Sequence, residues 1–333
     1  MNSFYRSKAI SSINRIYWLD FGKVLAAFLV VFAHLYSENT LIQKYIYAFH
    51  LPFFFLISGV FHNDTGKIQW QKHAMRILFP AAIFLFIDAV VYIIHDALLA
   101  GGGWSGWAGQ TVNYIKYFIL SLIRGTGLGP AWFLLALFWC KILADLFLII
   151  RQKWIACGIM IAGLLVPHLF SYRLPLFISQ GFMATPFYLT GFYASRFLKS
   201  RNKSWKYLWL FLIGILLTGT LTFFNGKVSM NGFYFGSLHK GLNLFVFYLN
   251  GFIGSIMLMA FSLLPFPELK SIKLLATALI TIVGVQNAFI RPSQWIFGFL
   301  NEPIPLSVIV AIFIMWLCYF THLLIGPLYS PKK

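Results

Sequence analysis

Acidic residues are scarce: eight Asp and Glu stand among 333 residues, against 26 Lys and Arg, and charged residues of both signs make up only 10% of the chain. With 60% hydrophobic residues and a mean hydropathy of +0.79, that scarcity excludes an ordinary water-soluble core. Cysteine is scarce too. Cys140, Cys157 and Cys318 lie in apolar runs without metal-ligand spacing, so they read as small buried hydrophobes and no metal site is expected. A Walker glycine loop, an HExxH pair and a GxSxG elbow are all missing, which removes three common routes to phosphoryl and hydrolytic chemistry. No internal repeat or low-complexity tract is evident, and no polar segment is large enough for a separate soluble domain, so residues 1–333 read as a single integral membrane domain.

What is abundant is long apolar runs. They predict an all-α, polytopic membrane bundle of about ten transmembrane helices, at roughly 17–36, 42–61, 74–98, 131–150, 154–170, 177–197, 207–224, 242–264, 272–290 and 303–325. The N-terminal stretch is polar and basic and the span after it lacks a small-residue cleavage site, so no removable signal is expected. Placing the N-terminus in the cytoplasm puts seventeen Lys and Arg in the inner segments and seven in the outer ones, an asymmetry that orients both termini inward. The net charge of +18 therefore reports topology and attraction to membrane lipids, and no nucleic-acid partner is expected. The longest outer segment, 99–130, holds a glycine-rich loop and Trp104 and Trp107, as interface anchors or as surfaces on which a sugar stacks. Residues 113–123 in it read as a short interfacial or re-entrant helix.

Ionisable residues inside spans are costly in hydrocarbon and mark candidate sites. The first span, YWLDFGKVLAAFLVVFAHLY, carries Asp20, Lys23 and His34, and at ~100° per residue all three share one face. His34 is the candidate proton acceptor, or a structural histidine hydrogen-bonded within the bundle; an Asp20–Lys23 pair that only fixes packing is the alternative for the other two. His50 opens the second span, where Pro52 and the Ser58-Gly59 pair imply a bent, closely packed helix; it lines the same outer cavity as His34 or serves packing. Lys72 and Arg76, one turn apart before Pro80, put two cations on one face at the inner surface, suited to phosphates or simply to topology. Asp88 and His95 share a face of the third span, as acceptor contacts or as an internal polar network. Lys141 and Asp145, also one turn apart, read as a self-neutralising pair.

These residues resemble the integral-membrane acyltransferase 3 family, which includes bacterial polysaccharide O-acetylases and fucose 4-O-acetylase-like proteins. The likeness rests on Lys23, ten intervening residues and His34; on FHLPFFFLISG from Phe49 to Gly59; on Lys72, Arg76 and Pro80; and on WFLLAL from Trp132 to Leu137. PFYLTG from Pro186 to Gly191 extends it into the second half. Gln294 stands where related chains carry a histidine.

The resemblance implies an O-acetyltransferase of the bacterial inner membrane. It would take acetyl from cytoplasmic acetyl-CoA, used as co-substrate with no bound cofactor, and place it on a sugar hydroxyl of a glycan or lipid-linked glycan. His34 would be the general base or a transient acyl carrier, Lys23 would stabilise charge or position the donor, and Asp20 would hold Lys23. Lys72 and Arg76 would clamp donor phosphates, and His50, Asp88, His95 and Trp132 are the candidate acceptor or cavity residues. A transporter or flippase of lipid-linked sugars, or a non-catalytic partner in envelope assembly, would use similar intramembrane charges without an acyl product.

Overall fold

A computed structural model describes residues 15–36, 40–99, 104–239, 241–297 and 304–329. Arg6, Lys8, Lys240, Lys332, Lys333 and residues 101–103 lie outside them, as does the side chain of Trp104. The regular structure of the described residues is helical, apart from one antiparallel bridge between Ser229 and Tyr234.

In chain order the helices are α1 (Tyr17–His34), α2 (Leu41–Tyr47), α3 (His50–Val60), α4 (Trp70–His73), α5 (Phe79–Leu99), α6 (Trp104–Arg124), α7 (Ala131–Ile149) and α8 (Lys153–Leu169). They continue as α9 (Ile178–Tyr193), α10 (Ser195–Lys199), α11 (Tyr207–Asn225), α12 (Leu242–Ser262), α13 (Lys270–Leu275), α14 (Leu279–Phe297) and α15 (Ile304–Tyr329). Each of the ten expected spans falls on a helix. Among the described residues, seven stretches are long and apolar enough to cross a membrane on their own: α1, α2–α3, α4–α5, α7, α11, α12 and α15.

Burial separates the centre of the bundle from its rim. The most apolar stretch of α1 is 61% buried, against 17% for α11 and 22% for α15, which turn Leu, Ile and Phe side chains outward. α1, as buried as α2–α3, thus runs along the axis of the bundle, packed by α3, α12, α14 and α15. A polar stripe on such a helix faces protein rather than lipid, which is the condition an intramembrane charge requires.

Proline explains the two irregular spans. The second breaks at Ala48–Phe49, because Pro52 has no N–H for the Ala48 carbonyl, and α2 and α3 meet there at an angle. In the third, Pro80 likewise leaves the Arg76 carbonyl without its donor, and residues Ala74–Leu78 widen into a π turn that joins α4 to α5.

Two expectations are corrected. The ninth span begins at Leu279, not 272, and runs to Phe297; Lys270–Leu275 is a separate short helix. The outer helix within 99–130 spans 104–124 rather than 113–123, and its Tyr117 hydroxyl accepts from the Leu128 amide at 2.9 Å. α6 is not among the seven apolar stretches.

α3 and α9 approach more closely than any side chain would allow. A Cβ on Gly59 would overlap the Tyr188 carbonyl oxygen, and one on Gly191 would overlap the Leu56 carbonyl oxygen. The FHLPFFFLISG and PFYLTG segments therefore meet at backbone contact, as small residues permit between membrane helices.

Candidate active site

His34 ends α1, and its imidazole lines a cavity of about 260 Å³. The break at Phe49 turns α3 so that His50 lines the same cavity, while Tyr47 closes α2 beside both. Tyr47 Oη lies 3.2 Å from His34 Nδ1. His50 Nδ1 donates to the Ile46 carbonyl at 2.7 Å. A carbonyl only accepts, so the hydrogen of neutral His50 is on Nδ1 and its Nε2 keeps a lone pair. Two imidazoles thus flank one cavity.

Trp132, from the start of α7, forms part of the wall. Gly129 precedes it with φ +52°, and a Cβ there would press on Asn287 Nδ2 and Asp88 Oδ2, each at 3.2 Å. Asp88 therefore stands directly behind the wall, buried, with Oδ1 unpartnered. His95 lies elsewhere, its ring 4.4 Å from that of Trp295. Of the four cavity candidates, the structure brings His50 and Trp132 to His34, places Asp88 one layer back, and leaves His95 out of the lining.

Several lining residues had not been singled out in the sequence. Gln286 of α14 is 2% exposed and has an unpartnered Oε1. Its signal was weaker than a charge but visible, since a glutamine in a spanning run needs a hydrogen-bond partner or a polar space. Lys227 and Asn231 come from the loop after α11, which has no periodicity to read. Asn231 fixes that loop across the cavity mouth: its Oδ1 accepts from the Gly127 amide at 3.1 Å, and its backbone carbonyl accepts from Gln180 Nε2 at 2.8 Å. Gln294 donates from Nε2 to the His34 carbonyl at 2.8 Å, holding the end of α1.

Asp20 and Lys23 are at the other end of α1. Eleven residues of helix separate Lys23 from His34, about 16 Å of rise. Lys23 Nζ is 3.5 Å from Asp20 Oδ1, Arg15 Nε is 3.3 Å from Asp20 Oδ2, and Lys23 also sits 4.4 Å over the Phe61 ring. Lys199 approaches the same ring at 5.4 Å. Asp20 holds Lys23 as expected, and neither lines the His34 cavity.

His62, just beyond Phe61, ties this end to the third span. Its Nε2 is 3.3 Å from Asp145 Oδ1, while Asp145 Oδ2 accepts from His73 Nε2 at 3.0 Å and from the Gln69 amide at 2.9 Å. Tyr188 Oη lies 2.9 Å from His62 Nδ1 and accepts from Lys141 Nζ at 3.2 Å. Burial holds the His62 imidazole below its ordinary pKa against the pull of Asp145. The expected Lys141–Asp145 pair is thus replaced: Asp145 serves two histidines and Lys141 a tyrosine, because donors from other helices outcompete the neighbour one turn away. Lys72, which donates to Gln69 Oε1, and Arg76 are exposed beside this network. They share the Lys23 end of the bundle and lie apart from the cavity.

Removing the Asp145 carboxylate would leave two donors, His73 Nε2 and the Gln69 amide, without their acceptor. Asp145→Ala is expected to cost about 3 kcal/mol or more. Thermal unfolding of the detergent-solubilised protein checks this.

The acyltransferase domain of the acyltransferase 3 family matches residues 16–323, nearly the whole chain. The chain belongs to that family. It is a multi-pass membrane acyltransferase by family and by its apolar helices together. Comparisons with curated proteins and with solved structures return no match. In this acyltransferase, each segment that carried the resemblance has a place: Lys23 and His34 at the two ends of the axial helix, FHLPFFFLISG and WFLLAL around the cavity, and the basic turn before Pro80 at the opposite end.

Proposed function

We propose that the acyltransferase moves acetyl from acetyl-CoA to a sugar hydroxyl of an envelope glycan, in a bacterial inner membrane with both termini cytoplasmic. One observation supports this most: two imidazoles, His34 and His50, face a single cavity at the end of the bundle remote from its basic cluster. On this reading the donor's phosphates meet Lys72 and Arg76 at the cytoplasmic end, where charge-assisted contacts suit them. Lys23, restrained by Asp20, stands along the path inward. The acetyl group has about 16 Å to travel to His34, a distance for the slim pantetheine arm.

At the cavity, the base-competent tautomer of His34 donates from Nδ1–H to Tyr47 Oη and leaves a lone pair on Nε2. That nitrogen takes the hydroxyl proton as the sugar oxygen attacks the thioester carbonyl. A carbon–oxygen bond forms, the carbon–sulfur bond breaks, and the proton returns to the departing thiolate. His50 Nε2 and Gln286 Oε1 are acceptors for neighbouring sugar hydroxyls, and Trp132 gives the ring an apolar face.

Inverted or native membrane vesicles supplied with radiolabelled acetyl-CoA test this by the appearance of base-labile label in glycan. Transport of glycan with no such ester would favour a flippase instead. Lys72→Gln with Arg76→Gln is expected to raise KM for acetyl-CoA about tenfold with little change in kcat, from the loss of roughly one charge-assisted contact. Titration of acetyl-CoA in the same vesicles measures it.

A further inference from the structure

α2 separates the His34 cavity from a second concavity of about 460 Å³. Leu29, Ile42, Ile46, Phe49, Gly219 and Phe223 shape it. Its two side-chain hydroxyls are already engaged. Tyr45 Oη lies 3.4 Å from the Ile215 carbonyl, and Thr222 Oγ1 accepts from Asn250 Nδ2 at 3.0 Å. The occupant must therefore be hydrocarbon. α1 and α11, which wall the groove, are membrane-crossing helices, so it opens where lipid chains are.

The short helix between the two spaces is sorted by face. At ~100° per residue, Leu41, Ile42, Tyr45 and Ile46 look into the groove, while Gln43 and Tyr47 look into the His34 cavity. Lys44 falls between those faces, on the side that joins Tyr47 to Leu41. None of the ion pairs among the described residues involves it. A hydrocarbon groove, a cation and a polar cavity thus follow one another around a helix about 10 Å across.

We propose that the groove takes the tail of a phosphate-linked lipid carrier that presents the acceptor sugar. Lys44 faces the anionic linkage, and the sugar passes around α2 to His34. The inference rests on the acyl-transfer reading for its sugar, and it narrows that reading to a lipid-linked acceptor. Annular phospholipid would suit the groove and its phosphate would also meet Lys44, but it carries no sugar to pass into the cavity that Gln43 and Tyr47 line.

Gly219 offers a clean probe, since a Cβ there would meet only Tyr45 Cε2, at 3.7 Å. The Cβ of a leucine at this position meets no backbone, and its side chain takes the space of about two methylenes of the occupant. Binding of a polyprenyl phosphate to the full-length protein, read by native mass spectrometry in detergent, is expected to weaken about tenfold in Gly219→Leu. Lys44→Gln is expected to weaken it severalfold, more at low salt. Neither variant should alter acetyl-CoA binding. Equal binding to wild type and Gly219→Leu would overturn the proposal, as would displacement by an equal concentration of phosphatidylglycerol.

An activity arm separates the two readings. Gly219→Leu is expected to slow acetylation of a polyprenyl-linked sugar while sparing the same sugar free in solution. Acetylation of the linked sugar at the wild-type rate would overturn the lipid site and leave acyl transfer standing. Polyprenyl phosphate binding that responds to Gly219→Leu, with no acetyl ester on any acceptor, would support the lipid site and overturn acyl transfer.

Discussion

His34→Ala is expected to lower kcat/KM for acyl transfer by about 10²–10⁴-fold, the range a positioned general base contributes. The substitution removes an imidazole that lines the cavity and meets Tyr47 at Nδ1, and it keeps the Gln294 bond to the backbone carbonyl of residue 34. Purified protein with labelled acetyl-CoA gives the rate, and a melting curve on the same sample shows whether the fold survives. The contrast with Tyr47→Phe makes the result specific. That variant keeps the ring and loses one hydrogen bond worth about 1 kcal/mol, so a fall of only about fivefold is expected. Near-equal losses in the two variants would place the base elsewhere. His50, whose tautomer is set by Ile46, would then be the next candidate.

Gly59→Val is expected to have the largest effect on stability, at least about 3 kcal/mol, and Gly191→Val a similar one. In each case the new side chain meets a backbone carbonyl of the facing helix, Tyr188 or Leu56, and backbone cannot step aside as a flexible side chain would. α3 and α9 must part. That also pulls His62 from Tyr188, and through it loosens the hold on Asp145. Size-exclusion chromatography of the detergent extract should show little monodisperse protein. Gly158→Ala is the control, because a Cβ there meets nothing within 4 Å, and it is expected to be neutral.

The spans were legible because a run of ~20 apolar residues matches the thickness of a bilayer and suits little else. The polar stripe of α1 was legible because charges stand out in such a run. Helical rise also put His34 at one end of that stripe and Asp20 and Lys23 at the other, whereas periodicity says little about which partners from other helices lie at each height. Asp145 shows the corresponding limit for pairs. Lys141 is its neighbour in sequence, but His62 and His73 arrive from segments about 70–80 residues away, and nothing local announces them. The cavity mouth was the least readable part, since Lys227 and Asn231 sit in a loop placed by Gln180 and Gly127. α14 began seven residues late because residues 276–278 form a turn in a stretch whose hydropathy alone reads as continuous.

The decisive measurement is mass spectrometry with NMR of the host's envelope glycans, comparing wild type, a deletion strain and a strain carrying His34→Ala at equal membrane abundance. A base-labile acetyl ester present in wild type and absent from both mutants is the predicted result, and it would name the acceptor hydroxyl at the same time. Acetylation that persists unchanged in His34→Ala would contradict the role assigned to this histidine and to the cavity it lines.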